Sequence, residues 1–279
     1  MVQLLLGPAA IDPDKPGNDS RTPLWRAAGG GHVEVVKLLL GQEDVNPDKL
    51  DWLGMTPLSN ASWEGHEEVV KILLGREVIP DMPDYRGNTP LSYAAWEGHE
   101  GVVRILLGRE EVDPDKPDDL GRTPLSYAAR EGHEGVVRML LGRGEVNPDK
   151  PDDLCRTPLL YDAREGHERV VRILLGREEV SPDKPEDSGR TPLSYAAREG
   201  HEGVVRMLLG IEEVNPDKPD DLGRTPLLYA AREGHEGLVK ILLQRDDVHP
   251  DKPDNHGSTP LSFAAECGHE YVVKNTSRE

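Results

Sequence analysis

The sequence is poor in aromatic residues and in large hydrophobic side chains. Aromatic residues make up 4% of its 279 positions, with a single Phe, and hydrophobic residues make up 36%. One large globular core is hard to build from this mixture, because aromatic side chains normally supply much of the buried area of such cores. A core made of many thin, similar layers of Leu, Ile, Val and Ala is easier to build.

Cysteine and long apolar segments are also scarce. The two cysteines, Cys155 and Cys267, form no Cys-x-x-Cys pair, which excludes a disulfide framework and favours a reducing, cytoplasmic location. No apolar run approaches the ~20 residues needed to span a bilayer. The run Leu4–Leu6 is too short for a signal peptide and lacks the basic segment that precedes one.

Basic residues are few relative to acidic ones. The chain has 33 Lys and Arg against 52 Asp and Glu, a formal net charge of −19 at pH 7. Such a surface repels phosphate groups, so we expect neither nucleic-acid binding nor membrane binding. The chain has no phosphate loop, Rossmann glycine triplet or nucleophile elbow, so we expect no cofactor, no small-molecule substrate and no enzymatic activity.

What the sequence does contain is one unit repeated along its length. Thr-Pro occurs eight times, at intervals of 34 residues with one exception of 33, and each Thr is followed ten residues later by the His of a Gly-His pair. A fixed period of this length is typical of repeat architectures. The threonines are Thr22, Thr56, Thr89, Thr123, Thr157, Thr191, Thr225 and Thr259.

Each unit predicts two short helices and a long loop. In the fourth unit, Thr123 is a good N-cap and Pro124 suits the first helical position. Gly132 should end this helix, and Glu134 should open a second one, followed by a loop with two prolines that cannot be helical. Helices of about nine residues are shorter than the ~12–15 that are marginal alone, so neighbouring units must stack.

The shared run Gly-x-Thr-Pro-Leu-x-x-Ala-Ala-x-x-Gly-His-x-x-Val-Val-x-x-Leu-Leu resembles the ankyrin repeat over nearly the entire chain. The resemblance implies an all-α solenoid of stacked helix-turn-helix units with extended loop and β-turn connections. The variant Thr-Pro-Leu-Ser-Tyr-Ala-Ala is similar to arrays of filamentous fungi, which often form the C-terminal sensing region of NOD-like, nucleotide-switch proteins. Ser126 stands where the usual repeat has His, which puts the usual buried turn hydrogen bond in question.

The register predicts one repeat domain over residues 1–279. Residues 2–7 align with the second helix of a unit, so we expect the chain to begin inside a repeat and to be the tail of a longer protein. Polar residues replace the Leu ridge after Val273, as in a C-terminal cap. The predicted repeats are 1–16 (partial), 17–50, 51–83, 84–117, 118–151, 152–185, 186–219, 220–253 and 254–279 (partial or capping).

The resemblance also implies that the loop tips and the exposed side of each first helix line a concave groove for a protein or peptide partner. In the second and third repeats these positions carry three of the four tryptophans. Exposed aromatic clusters mark contact sites, so we expect this end to anchor an apolar side chain of the partner. The alternative is that the tryptophans pack between repeats. The residues are Trp52, Leu53, Met55, Trp63, Tyr85, Arg86 and Trp96.

Two columns of arginine occupy matching positions in the later repeats. One interpretation is that their guanidinium groups bind the carboxylates of an acidic peptide. The other is that they form surface ion pairs with neighbouring Glu, and we favour this second interpretation. The first column is Arg122, Arg156, Arg190 and Arg224, and the second is Arg130, Arg164, Arg198 and Arg232.

The leading prediction is therefore a protein-binding scaffold. One alternative is a structural array that self-associates weakly end to end. A minor alternative is an enzyme or metal site that uses Cys267 with His256 and His269. The Gly-His histidines are interpreted as structural, and the loop aspartates, such as Asp183, as a solvated acidic edge. Asp162 replaces a close-packed Ala and should cost stability if it is buried without a partner.

Overall fold

The computed structural model describes residues 11–276, with side chains as far as Lys274. The predicted start inside a helix falls in residues 1–10, and the polar end of the predicted cap reaches beyond residue 276. Both predictions therefore concern positions outside the described residues. The chain divides into two compact units, the first ending at Val146 and the second beginning at Asn147.

The described residues form sixteen helices in consecutive pairs and contain no strand, which confirms the predicted all-α fold of stacked helix pairs. The helices of the first unit are α1 (Pro23–Gly29), α2 (Val33–Leu40), α3 (Pro57–Trp63), α4 (Glu67–Leu74), α5 (Pro90–Trp96), α6 (Glu100–Leu107), α7 (Pro124–Arg130) and α8 (Glu134–Leu141). Those of the second unit are α9 (Pro158–Glu165), α10 (Glu168–Leu175), α11 (Pro192–Glu199), α12 (Glu202–Leu209), α13 (Pro226–Glu233), α14 (Glu236–Leu243), α15 (Pro260–Glu266) and α16 (Glu270–Thr276).

The first helix of each pair begins at its Thr-Pro dipeptide. Thr123 has an extended backbone, and its hydroxyl accepts a hydrogen bond from the Ser126 amide at 3.2 Å. Pro124 takes the first helical position, where its missing N–H costs nothing. The Ser126 hydroxyl also lies 3.2 Å from that of Thr123, so serine supplies a buried side-chain hydrogen bond at the position where the usual repeat has His.

The Gly-His turn joins the two helices of a pair and also ties each repeat to the one before it. His99 does not cap its own helix; its Nε2 lies 2.7 Å from the carbonyl oxygen of Trp63 and donates to it. His66 makes the same contact with Gly29 at 2.9 Å. Gly65 has a φ of +76°, and a Cβ there would lie 2.6 Å from Nδ1 of His99. Only glycine satisfies both the backbone angle and the close approach.

Thin apolar layers fill each unit. Within each unit the first helices pack on one another, and each also packs on the second helix of its own pair. The alanine pair of α7, Ala128 and Ala129, is fully buried, as are Val136 and Leu140 of α8. Because each helix has only seven or eight residues, these layers supply the stability that an isolated helix of that length lacks.

The prediction of a solvated acidic edge was wrong for most of the loop aspartates, although Asp251 is exposed. Asp183 is half-buried, and Lys218 Nζ donates to its carboxylate at 3.0 Å and to its backbone carbonyl at 2.8 Å. Lys252 makes the same pair of contacts with Asp217, which is buried. The lysine that binds each of these aspartates lies one repeat further along the chain. It is not the lysine that directly follows the aspartate in sequence.

Asp48 lacks such a lysine because Met82 stands at the position that Lys116 occupies in the next repeat. Its Oδ2 accepts a hydrogen bond from the Ile79 amide at 3.0 Å, and its buried Oδ1 has no hydrogen-bond partner. Burial raises the pKa of Asp48 above its ordinary value. The carboxylate is therefore poorly compensated.

We expect Met82→Lys to raise the free energy of unfolding by about 0.5–1 kcal/mol. The new ammonium group should reach Asp48 as Lys116 Nζ reaches Asp81 at 2.9 Å. Urea unfolding measures the change, and Met82→Gln is the neutral control. An equal gain in the control, or no gain with lysine, would contradict the ion-pair explanation.

Asp162 in α9 is fully buried, and neither carboxylate oxygen has a hydrogen-bond partner. Burial raises its pKa to about 9. In the unfolded chain the same carboxyl ionises near 3.8, so between these values the folded state binds the additional proton. Stability therefore falls as pH rises from about 4 to about 9. Ala128 and Ala196 are the buried counterparts in other repeats.

We expect Asp162→Ala to raise the free energy of unfolding at pH 7 by about 2–4 kcal/mol, because it removes an unsatisfied buried carboxyl. The gain should be larger at pH 8 than at pH 5, as measured by denaturant unfolding at both values. Asp162→Asn should remove the pH dependence and retain part of the cost. A loss of stability in the alanine variant would show that the carboxyl has a useful partner.

Candidate partner-binding surface

Backbone hydrogen bonds hold the loop tips of the first unit side by side. The amide of Trp52 lies 3.4 Å from the carbonyl oxygen of Asp19, and the amide of Tyr85 lies 3.1 Å from that of Leu53. The amide of Asp119 donates to Arg86 at 2.9 Å. The second unit has the same series, with Asp187 bonded to Leu154, Asp221 to Ser188 and Asn255 to Leu222. The tips thus form an ordered edge within each unit.

From the second repeat onward, each tip is anchored by a buried acidic residue at the start of its turn. Asp84 Oδ1 accepts from the amides of Arg86 and Asn88, each at 2.8 Å, and Oδ2 accepts from the Tyr93 hydroxyl at 2.6 Å. Burial and this hydrogen bond raise the pKa of Tyr93, and the same causes raise that of Tyr229 to about 12. The phenols therefore remain donors at neutral pH, and the tips are fixed to the first helices.

The tips of the first unit expose large apolar side chains. Trp52 is 60% exposed, Tyr85 67% and Leu120 51%, and we call these three residues the tip row. Leu53 is half-buried beside them and Arg86 is exposed. Such a concentration of exposed apolar surface is unusual for a chain with so few aromatic residues.

Met55, predicted as a groove residue, belongs mainly to the core, because only 2% of it is exposed.

Trp63 and Trp96 are less exposed than predicted because each stacks on a tyrosine of the next repeat. The ring centroids of Trp63 and Tyr93 lie 4.9 Å apart with an interplanar angle of 16°, and those of Trp96 and Tyr127 lie 4.8 Å apart at 18°. Trp63 is 38% exposed and Trp96 is half-buried. Packing between repeats therefore covers one face of each indole, and Trp63 remains partly accessible.

The arginine columns make ion pairs within the protein, the first column mainly with aspartates at the tips and the second with the adjacent Glu. Arg156 Nη2 lies 2.7 Å from Asp152 Oδ2, and its guanidinium lies 5.0 Å above the Tyr161 ring. Burial would raise the pKa of Asp152, but hydrogen bonds from Arg156 and Tyr161 hold it below its ordinary value. The other pairs are Arg122–Asp118, Arg190–Glu186, Arg224–Asp254, Arg130–Glu131, Arg164–Glu165, Arg198–Glu199 and Arg232–Glu233.

A cleft of about 450 Å³ opens in the first unit between the loop tips and the first helices. Its volume lies in the range of small ligand pockets, about 300–1,000 Å³. It brings three of the predicted residues together, whereas the cleft lining does not include Trp52 or Trp96. Its walls are formed by Arg21, Trp25, Arg26, Gly29, Leu53, Met55, Asn60, Trp63 and Glu64.

Sequence reasoning missed this cleft, although a signal for it exists. Trp63 and Trp96 share one position in the register, seven residues after the Thr of Thr-Pro, and the first repeat has Gly29 there. Asn60 replaces the tyrosine found at the corresponding position of the next repeats. Gly29 and Asn60 are smaller than the tryptophan and tyrosine found at these positions in the next repeats, and the cleft remains open as a result.

A larger cleft, of about 670 Å³, lies in the second unit beside the loop that follows α10. Leu175 and Ile211 line it together with Asp183 and Lys218, which form an ion pair with each other. Asp183 and Lys218 are therefore already used in holding repeats together.

The histidines and Cys267 belong to no metal-binding cluster in the described part of the chain. Among residues 11–274, no set of three or more His, Cys, Asp or Glu side chains is placed to hold a metal ion. Cys267 is an exposed free thiol, and His269 Nε2 lies 2.9 Å from the carbonyl oxygen of Arg232, the same structural contact that other repeats make. No helix in the described part of the chain is long and apolar enough to cross a membrane.

The fold and this surface define a helical repeat protein that presents ordered loop tips. The family model for ankyrin repeats in three copies matches residues 1–84, 76–152, 144–220 and 209–275. The chain therefore belongs to the ankyrin repeat family. Ankyrin repeats are generally protein–protein interaction modules and are typically non-enzymatic. No curated protein matches the chain.

We expect Trp63→Ala to lower the free energy of unfolding by about 1–3 kcal/mol, because it removes a stacked indole between two repeats. Trp52→Ala should change it by less than about 0.5 kcal/mol, since that side chain is largely in solvent. Urea unfolding of the two variants measures the difference. Equal effects would show that the stack does not stabilise the array.

Proposed function

We propose that this protein is a non-enzymatic scaffold whose first unit binds a protein or peptide partner. The binding surface consists of the tip row and the adjacent exposed side of the first helices, where the resemblance to ankyrin repeats implied a concave groove. The observation that carries the proposal is the exposure of Trp52, Tyr85 and Leu120 on tips that backbone hydrogen bonds hold in order.

Rigid, exposed aromatic side chains favour binding for a physical reason. Ordering a flexible side chain at an interface costs free energy, and Trp and Tyr offer a large contact area with few rotatable bonds. The tips of the first unit are further restrained by buried acids such as Asp84. The partner would thus meet a surface that needs little rearrangement.

The two units differ at the corresponding tip positions. Where the first unit has Trp52 and Tyr85, the second has Asp153, Asp187 and Asp221. The second unit exposes Leu154 and Leu222, which occupy the position of Leu120 and, like it, follow two aspartates, but it has no exposed aromatic residue at its described tips. We assign the arginine columns to structure rather than to the partner, because each guanidinium already contacts a carboxylate.

The finer identity belongs to the same proposal. The repeat variant supports a fungal-type array that resembles the C-terminal region of NOD-like receptors, with the partner recognised inside the cell. Cys155 and Cys267 are both exposed free thiols, which suits a reducing cytoplasm.

The proposal is tested by selecting binders from a displayed library of random peptides on the intact chain. Trp52→Ser with Tyr85→Ser should weaken the selected peptides at least about tenfold. Leu154→Ser with Leu222→Ser, which removes two exposed apolar tip side chains of the second unit, should not. Calorimetric titration measures both. The proposal fails if no peptide is selected, or if the two double variants weaken binding equally.

Self-association is distinguished by sedimentation velocity of the chain alone. If copies stack end to end, the sedimentation coefficient will rise with concentration in the absence of any peptide. A constant coefficient, together with peptide binding, supports the scaffold.

A further inference from the structure

The cleft at Gly29 is a vacant place in a regular stack of planar side chains. In the second and third repeats, the residue seven positions after Thr stacks on a tyrosine of the next repeat: Trp63 packs on Tyr93, and Trp96 packs on Tyr127. The rings of Trp63 and Trp96 are themselves nearly parallel, at 14°, with centroids 6.5 Å apart. At the start of this series, Gly29 has no side chain to place against Trp63.

The vacancy depends on two substitutions that match each other. A Cβ on Gly29 would lie 2.0 Å from Nδ2 of Asn60, so the asparagine occupies the base of the space. Asn60 Nδ2 donates to the carbonyl oxygen of Trp25 at 3.1 Å, and this hydrogen bond fixes the position of the Asn60 side chain. The cleft lies beside the Asn60 side chain, and Trp63 forms another of its walls.

The shape of the vacancy selects a planar group. At the equivalent position the chain has Trp in the second and third repeats, Arg in the fourth to seventh, and Glu266 in the last. In the second unit, for example, the Arg232 guanidinium lies 5.9 Å from the centroid of the Phe263 ring. A partner's indole and a partner's guanidinium both have the right form.

The charges around the cleft decide between these two. The cleft contains the guanidinium groups of Arg21 and Arg26, but both are compensated: Arg26 lies 2.8 Å from Asp19, and Arg21 lies 3.4 Å from Asp51. Glu64 is exposed at the cleft and has no ion-pair partner among the described residues. The cleft therefore carries one uncompensated negative charge.

The reason that Glu64 is uncompensated lies in the repeat pattern. In the second unit the glutamate at this position pairs with the arginine before it, as Glu199 does with Arg198 at 3.6 Å. Trp63 replaces that arginine in the second repeat, so the carboxylate of Glu64 is left beside an indole. A carboxylate beside an aromatic face is the environment that a guanidinium group prefers.

We propose that this cleft binds an arginine side chain of the partner, stacked on Trp63 and paired with Glu64. The inference rests on the proposed function of the first unit and names the chemistry of its partner: a basic segment with at least one accessible arginine. The net charge of −19 agrees with a basic partner. It replaces the earlier expectation that this end anchors an apolar side chain.

A direct test uses N-acetyl-L-arginine amide as the probe and the intact chain as the receptor. Two-dimensional NMR follows the indole N–H signals of the four tryptophans, which single Trp→Phe variants assign. The signals of Trp25 and Trp63 should shift saturably. N-acetyl-citrulline amide, which is planar but neutral, should bind at least about tenfold more weakly.

Matched variants locate the site. Glu64→Gln should weaken the arginine probe about tenfold, whereas Glu97→Gln, the same position one repeat later, should leave its affinity unchanged. Gly29→Trp combined with Asn60→Tyr rebuilds the packing of Trp63 on Tyr93 and should fill the cleft. This double variant should remain folded, as thermal unfolding would show, and should lose the probe.

The outcomes separate the inference from the proposed function. Shifts that are equal for citrulline, or that persist when the cleft is filled, overturn the arginine site. So does preferential binding of N-acetyl-tryptophan amide to the cleft, which would assign it to an aromatic side chain. Library peptides that depend on the tip row but not on Glu64 overturn the arginine site and support the proposed function. Probe binding without any selected peptide overturns the proposed function alone.

Discussion

Every helix in this protein is too short to be stable by itself, and that constraint governs the rest of the structure. A helix of seven or eight residues leaves most of its terminal amides and carbonyls without helical partners. The protein satisfies them from adjacent repeats and from caps. Histidine donates to the end of the preceding first helix, lysine bridges to the preceding loop, and the tips within each unit bond to one another. The stability of each repeat therefore depends on its contacts with the adjacent repeats.

This arrangement also explains why the surface can vary while the repeat does not. The contacts that build and join the repeats use a recurrent set of positions: the Thr-Pro cap, the Gly-His turn, the acid that starts most tips, and the alanine pair. Side chains at the tips and at the exposed side of the first helices contribute less to those contacts. They can change from Arg to Trp or to Gly without disturbing the layers beneath, and the cleft beside Trp63 arises in this way.

Asp162 and Asp48 show that the repeat array tolerates an unfavourable residue in a single repeat. Asp162 places an unsatisfied carboxyl in a fully buried layer, and Asp48 lacks the lysine that its counterparts have. In a compact domain with a single core, one such defect would affect every contact. In a repeat array its cost falls mainly on the repeat that carries it and on the adjacent ones.

The sequence by itself determined the fold, because its signals are local: Thr123 and Pro124 start a helix, and a glycine with positive φ such as Gly65 ends the turn. It also indicated that the second and third repeats differ from the others. Only the tertiary structure decided which side chains meet, because the partners lie about one repeat apart in the chain. Lys218 belongs to Asp183, and Trp63 packs on Tyr93 instead of standing free. The cleft at Gly29 depends on what is missing from two neighbouring repeats at once, and no local pattern records that.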